Sequence, residues 1–111
     1  MAETVKADIK VGTSIEKYEV GGASDNFTIP PETKLYAGLK VSGVVDENVT
    51  VVFFKAGAEV NRIALKMPRT PYRSHAYTVV HAGGSGDWTV KALGPNGNEI
   101  GSAAFKVTVT G

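Results

Sequence analysis

The chain of 111 residues contains no cysteine, which excludes disulfide bonds, thiol chemistry and cysteine-ligated zinc or iron–sulfur centres. It also lacks any apolar run of about 18 residues, so no transmembrane helix is expected. Twelve basic and eleven acidic residues leave a net charge of +1, far from the strong positive charge of typical nucleic-acid-binding domains. No stretch keeps helical periodicity for three turns between breakers, so helices are not expected either.

What the chain does contain is short runs of β-branched and aromatic residues, separated by 13 glycines and five prolines. Residues 35–45 alternate between apolar and polar positions, which is the period of a half-buried strand. Residues 49–54 are apolar on both faces, as expected of a central strand. The pair Asn96-Gly97 favours a hairpin turn between strands at 88–93 and 105–110.

Patterns of this kind recur about seven times, which predicts an all-β fold. An immunoglobulin-like antiparallel β-sandwich of about seven strands is the economical architecture, and a small closed β-barrel is the alternative. The length suits one domain with a core of its own, so residues 1–111 are expected to form a single unit.

Two local predictions depend on this architecture. The first strand is predicted at residues 5–11, continuing through 15–20 after Gly12. Trp88 alternates with Val90, so its indole is expected to lie in the core between two sheets. An exposed Trp88 would contradict the sandwich.

Several sequence pieces between residues 27 and 109 occur in the same order in a known family. They are the apolar strand at 35–37 and the runs 52–57, 63–66, 71–74, 86–90, 96–97 and 105–107. In these pieces the chain resembles DUF2914, a bacterial domain family of unknown function. The resemblance implies a small immunoglobulin-like sandwich, often found at the end of exported or membrane-anchored proteins, and it implies no reaction. The histidine and tryptophan of the family pattern are absent from residues 51–54 here.

The chain offers little for catalysis or metal binding. Its two histidines, His75 and His81, lie six residues apart in one predicted strand, about 20 Å along an extended chain. Neither Asp nor Glu occurs between Val60 and Gly86, so local carboxylate partners are missing. Ser74 or Ser85 can be drawn with His81 and Asp87 as a triad, but no Gly-x-Ser-x-Gly elbow accompanies them. We therefore expect no enzymatic activity, no cofactor and no metal.

Positive charge is concentrated in the second half of the chain. Residues 1–59 carry nine acids and six bases, a net charge of −3, whereas residues 60–111 carry two acids and six bases, a net charge of +4. Arginine presents a planar fork that binds carboxylate, sulfate or phosphate, and all three arginines lie within twelve residues. The candidate ligand-binding residues are therefore Arg62, Arg69, Tyr72, Arg73, His75 and Tyr77. A solvated bend that discourages edge-to-edge strand pairing would use the same residues.

The predicted function is a non-catalytic binding or interaction module of the bacterial envelope that engages an anionic ligand or partner through residues 62–77. The alternative is a carbohydrate-binding accessory domain that stacks sugars on Tyr36, Tyr72 or Tyr77, all expected to point outward. We expect a protein or glycan partner, no nucleic acid, and a monomer or a weak homodimer formed through an edge strand. A periplasmic or extracellular location is expected, with a cytoplasmic one as the alternative because the first five residues carry no hydrophobic signal core.

Overall fold

The computed structural model describes residues 5–16 and 19–110, and all regular structure in them is β-strand. Ten strands occur in this part of the chain: β1 (Lys6–Gly12), β2 (Ser14–Glu16), β3 (Glu19–Gly21), β4 (Asn26–Ile29), β5 (Thr33–Ser42), β6 (Glu47–Lys55), β7 (Ala58–Met67), β8 (Tyr72–Val80), β9 (Gly86–Leu93) and β10 (Glu99–Val109). They form a three-stranded sheet in the order β1-β5-β8, a five-stranded sheet in the order β4-β10-β9-β6-β7, and the hairpin β2-β3. Within the described residues no sheet closes into a barrel, so the predicted β-sandwich is confirmed.

The hydrophobic core lies between the three-stranded and the five-stranded sheet. Strand β5 contributes every second residue to it: Leu35, Ala37, Leu39 and Val41, each at most 3% exposed. From the other sheet, β6 contributes Val49, Val51 and Phe53, all fully buried. Each large side chain buried in this way contributes about 1.5–3 kcal/mol to folding. The alternation of apolar and polar residues therefore gives each sheet one apolar face, and the two sheets pack through these faces.

Trp88 lies in this core with 3% of its surface exposed, which confirms the prediction made from its alternation with Val90. It stands opposite Phe105 in the β9–β10 ladder, and the two rings are stacked with their centroids 6.0 Å apart. The indole Nε1–H donates a hydrogen bond to the backbone oxygen of Gly84 at 2.8 Å. The single polar atom of this side chain is therefore satisfied inside the core.

The structure adds short strands that the periodicity does not show. Three of the ten, β2, β3 and β4, have only three or four residues each. Strand β4 pairs with β10 in parallel, with Phe27 opposite Val107, so one edge of the five-stranded sheet departs from the antiparallel rule. The rings of Phe27 and Phe105 meet edge to face there, with centroids 6.0 Å apart.

The prediction that the first strand continues through residues 15–20 is wrong. Strand β1 ends at Gly12, and the chain then forms the β2–β3 hairpin, which folds over the outer face of the three-stranded sheet. Its Val20 side chain occupies the space that a side chain on Gly12 or Gly38 would need. Glycine at both positions therefore allows the hairpin to lie directly on the sheet.

A bend between β7 and β8 leads the chain from the five-stranded sheet to the three-stranded one. The bend contains a cis peptide bond between Thr70 and Pro71. It is held to the β5–β6 loop by two hydrogen bonds: Gly43 N–H donates to Thr70 Oγ1 at 2.8 Å, and Asp46 N–H donates to Met67 O at 2.7 Å. The bend therefore fixes where β8 begins and which of its side chains face the solvent.

Candidate ligand-binding face

The outward side of the three-stranded sheet gathers most of the chemistry in this half of the molecule. Its rows across β1, β5 and β8 are, in order, Asp8–Lys40–Arg73, Lys10–Gly38–His75 and Gly12–Tyr36–Tyr77. Lys6 and Lys34 lie near opposite ends of the same side, opposite Ser42 and Val79. The charged and aromatic side chains on the outward side of this sheet are called the basic face: Lys6, Asp8, Lys10, Lys34, Tyr36, Lys40, Arg73, His75 and Tyr77.

The charge of the basic face is strongly positive. It carries five cations and one carboxylate, all exposed, which gives +4, although the whole chain carries only +1. The remainder of the sequence therefore carries a net charge of −3. Such a concentration of one sign on one face attracts anions and speeds their association at moderate ionic strength.

At the centre of this charge, Lys40 stands between Asp8 on β1 and Arg73 on β8. Directly opposed side chains in an antiparallel ladder have Cβ atoms about 4.5–5.5 Å apart, so the Lys40–Arg73 pair places two positive charges side by side. Asp8 offsets part of that repulsion from the other flank. The formal charges of the three side chains sum to +1.

Next to these cations the aromatic side chains form a small cluster. Tyr36 and Tyr77 are cross-strand neighbours with ring centroids 5.8 Å apart, and His75 meets Tyr36 at 6.4 Å. The Nζ atom of Lys34 lies over the ring of Tyr77, 4.8 Å from its centroid. Tyr77 is 45% exposed, so its ring presents apolar surface and a hydroxyl to the solvent.

Two adjoining hollows open where Lys40 and Arg73 meet. One, of about 250 Å³, lies toward β1 and is lined by Lys10 and by Val20 of the hairpin. The other, of about 370 Å³, lies toward the β7–β8 bend and is lined by Arg69. Because both hollows share Lys40 and Arg73, they form one shallow cationic groove across the end of the basic face.

The structure brings together only part of the segment that the sequence analysis proposed as a site. Arg73, His75 and Tyr77 share the basic face. Arg69 lies at the bend with its guanidinium carbon 5.1 Å from the ring centroid of Tyr72. Tyr72 itself stands opposite Val41 and packs against the core, so the expectation that it points outward is wrong. Tyr72 therefore lines the edge of the groove and is not placed to stack against a sugar.

Arg62 lies apart from this group, on β7 of the five-stranded sheet. Its Nη2 atom is 2.9 Å from Oε1 of Glu59, and both side chains are about half exposed. The hydrogen bond from Arg62 holds the pKa of the Glu59 carboxyl below its usual range, and the same bond raises the pKa of the guanidinium. Arg62 is thus engaged with its own strand and does not contribute to the basic face.

His81 and Ser85, which the sequence allowed in a triad, have other partners. The Nδ1 atom of His81 lies 2.8 Å from Oε2 of Glu32, a carboxylate supplied from the turn before β5 rather than from nearby sequence. The Ser85 hydroxyl accepts a hydrogen bond from the backbone N–H of Val109 at 2.8 Å. In the described residues no three His, Asp or Glu side chains are grouped to hold a metal ion.

Sequence reasoning missed four lysines of this face: Lys6, Lys10, Lys34 and Lys40. The sequence does indicate that these lysines face the solvent. Each lies at an even position of an alternating strand, on the side opposite the buried residues. This alternation shows that the lysines share one face with Arg73 only when β1, β5 and β8 are known to be neighbours. Counting charge separately for residues 1–59 and 60–111 hid the positive face, because all four lysines lie in the acidic first half.

In the described part of the chain, no helix has the length and apolar character needed to cross a membrane. A family model described as "Protein of unknown function (DUF2914)" matches residues 46–107, which is more than half of the chain. The match covers β6 to β9 and most of β10, and it includes the whole of β8 with its contribution to the basic face. No curated protein sequence matches the chain significantly.

Proposed function

This chain belongs to the DUF2914 family, and from that premise we propose that it is a non-catalytic interaction module that binds an anionic ligand or partner through the basic face. The observation that supports this most is the net +4 charge of that face within a chain of net +1. An immunoglobulin-like relationship of the sandwich and a place in the bacterial envelope belong to the same proposal.

The cations of the basic face are mounted on a rigid element. Lys10 and Lys40 project from strands whose alternate residues, such as Leu39, are buried in the core. Their positions are therefore fixed before a ligand arrives, although the side chains themselves stay hydrated. Charge-assisted hydrogen bonds from ammonium and guanidinium groups to carboxylate or phosphate are about twice as strong as neutral ones. A binding surface can use this chemistry without any reacting group.

A carbohydrate-binding accessory domain is the second candidate. The pair Tyr36 and Tyr77 supports it, because the two phenols lie together on the solvent side and one is 45% exposed. Aromatic side chains of this kind offer an apolar surface and a hydroxyl at the same point. Tyr72 is not part of that surface.

The proposal is tested by reversing charge on one face at a time. The test variant is Lys10→Glu with Lys40→Glu, and the matched control is Lys66→Glu with Lys106→Glu, which makes the same charge change at exposed positions of the five-stranded sheet. Retention on immobilised alginate, polyglutamate and phosphatidylserine vesicles is measured in a salt gradient. We expect the wild-type chain to bind at least one of these anions. Added salt should weaken the binding, because it screens the charges that form the contact.

The test variant should lose about tenfold or more in affinity for that anion, while the control stays within about twofold. Equal losses in both variants would show that only net charge matters and would contradict a specific face. Absence of wild-type binding to all three anions would also overturn the proposal. Circular dichroism of each variant checks that the strands are intact.

A further inference from the structure

Along β5 and β8 the basic face changes in chemistry from one end to the other. Lys34 and Lys40 stand at the two ends of β5, six residues and therefore about 20 Å apart. Between them, Tyr77 and His75 project from β8 and Tyr36 projects from β5, whereas Val20 of the hairpin covers Gly38 of β5. This row of side chains, called the strip, therefore has cations at both ends and hydrogen-bonding rings in the middle.

The distance between the cations at the two ends limits which ligands can contact both of them. One small anion cannot touch both Lys34 and Lys40, because the separation is several times a hydrogen-bond length. A linear molecule with anionic groups at intervals and hydroxyl groups between them matches the strip along its length. Phenol and imidazole groups donate to and accept from hydroxyls, and the lysines pair with carboxylates.

We propose that the ligand is a linear acidic polysaccharide lying along β8 beside the hairpin, within reach of the lysines of β5, an inference that rests on the proposed function. Its carboxylates pair with Lys34 at one end and with Lys10 and Lys40 at the other. The sugar between them contacts Tyr77, with hydroxyl groups hydrogen-bonded to the phenols and to His75.

A single-stranded nucleic acid fits this strip less well. Base stacking needs aromatic rings whose faces are open to an inserted base. Here the Nζ atom of Lys34 already covers Tyr77 at 4.8 Å, and the ring of Tyr36 lies against both Tyr77 and His75. Sugars make contact through hydroxyl groups and C–H edges and need no insertion between rings.

A membrane surface is disfavoured by where the apolar side chains lie. The exposed large aliphatic residues among those described are Val5, Val45 and Val60. Val60 lies on β7 of the other sheet, Val45 in the loop after β5, and Val5 before β1. None of these three projects from the centre of the basic face, so among the described residues no exposed aliphatic side chain is placed there to insert between lipids.

The experiment compares alginate oligosaccharides of two and six uronate units by isothermal titration calorimetry. We expect the hexasaccharide to bind at least about tenfold more tightly than the disaccharide, because only the longer chain spans the strip. Tyr77→Ala keeps the charge of the face, and we expect it to weaken hexasaccharide binding about fivefold or more. Lys34→Gln should have a similar effect, whereas the control Lys66→Gln on the opposite sheet should leave the affinity unchanged.

Equal affinity for the two oligosaccharides, or an unchanged affinity after Tyr77→Ala, would overturn the polysaccharide proposal. Tighter binding of poly(dT) or of phosphatidylserine vesicles than of the hexasaccharide would overturn it as well. Its failure is distinguishable from failure of the proposed function. If vesicles or poly(dT) bind in a manner that depends on Lys40 while oligosaccharides do not bind, the face remains an anion-binding surface and only the ligand class is wrong.

Discussion

Lys40 and Arg73 lie directly opposite each other on β5 and β8, and both project to the solvent side of the sheet. Like charges in this relation destabilise a sheet, because their Cβ atoms are only about 4.5–5.5 Å apart. An anion bound beside the two side chains would offset this repulsion, in keeping with the proposed function. Functional sites commonly keep such locally unfavourable contacts.

The stability of the protein should rise as salt screens this face. Raising NaCl from about 0.02 to about 0.3 M shortens the range of charge repulsion severalfold. We expect a gain of about 0.5 kcal/mol in the free energy of unfolding, measured by urea denaturation, in keeping with exposed charge interactions. Lys10→Gln with Lys40→Gln should reduce this gain, and Lys66→Gln with Lys106→Gln should not. If salt raised the free energy of unfolding equally in both double variants, the repulsion would not arise from Lys10 and Lys40.

The turn between β6 and β7 offers a stabilising substitution. Ala56 and Gly57 both have positive φ, of 51° and 83°, and they connect Lys55 to Ala58 as a two-residue hairpin turn. Alanine is strained in this region, whereas asparagine tolerates it. Ala56→Asn should therefore raise the free energy of unfolding by about 1 kcal/mol, seen as a higher Tm.

Ala58→Asn is the control for that substitution, because residue 58 is exposed but already belongs to β7. It should leave Tm unchanged or lower it, since asparagine is unfavourable in strands. An equal rise in Tm for both variants would mean that the turn conformation is not the cause.

The indole hydrogen bond of Trp88 is tested by Trp88→Phe. The substitution keeps an aromatic ring against Phe105 but removes the donor to Gly84 O. Leaving a buried carbonyl without its partner costs about 1–3 kcal/mol, in addition to the lost packing volume. Thermal unfolding followed by circular dichroism measures the loss. Tyr77→Phe, which removes an exposed hydroxyl, should change the stability by less than about 0.5 kcal/mol.

The contact between the β2–β3 hairpin and the sheet is tested by a double-mutant cycle. Gly38→Ala places a methyl group where Val20 packs, so it should destabilise the fold by about 1–3 kcal/mol. In a Val20→Ala background that space is vacated, and Gly38→Ala should cost much less. Additive losses would show that the two positions do not meet. Hydrogen exchange at the Thr13 amide, which donates to Gly21 O, reports on the hairpin directly.

The ion pair of Glu59 and Arg62 predicts a defined pH effect. Since the folded protein lowers the pKa of Glu59, its contribution to stability is present above the ordinary glutamate pKa and is lost as the pH falls through the lowered value. Arg62→Gln should raise the pKa of Glu59, measured by NMR titration, toward the ordinary glutamate value. An unchanged Glu59 titration would show that the pair does not persist in solution.

The sequence predicts the layers of this fold better than it predicts the site. Alternation identified β5 and the burial of Trp88, because a period of two is imposed wherever one face of a strand is dry. The same rule is ambiguous for β8, where Tyr72 and Tyr77 differ in parity and polar residues occupy both sides. Only the pairing of Tyr72 with Val41 shows that this tyrosine points inward.

The basic face and the position of the hairpin depend on contacts between residues that are far apart in the sequence. Lys10, Lys40 and Arg73 come from three strands that are far apart in sequence, so no local window contains them together. Val20 rests on Gly12 and Gly38, and only the three-dimensional neighbour relation shows why both positions need glycine. Charge counted along the chain therefore grouped Arg62 with Arg73, although the structure places Arg62 on β7 of the other sheet.

The hairpin that rests on Gly12 and Gly38 makes the two long sides of the strip unlike, because Val20 lies on the side toward β1 and the edge strand β8 forms the other side. The ends differ as well, since Lys34 and Tyr77 occupy one and Lys40 and Arg73 the other. Turning a bound chain end for end exchanges these surroundings. The protein therefore has the asymmetry needed to tell the two directions of a polymer apart.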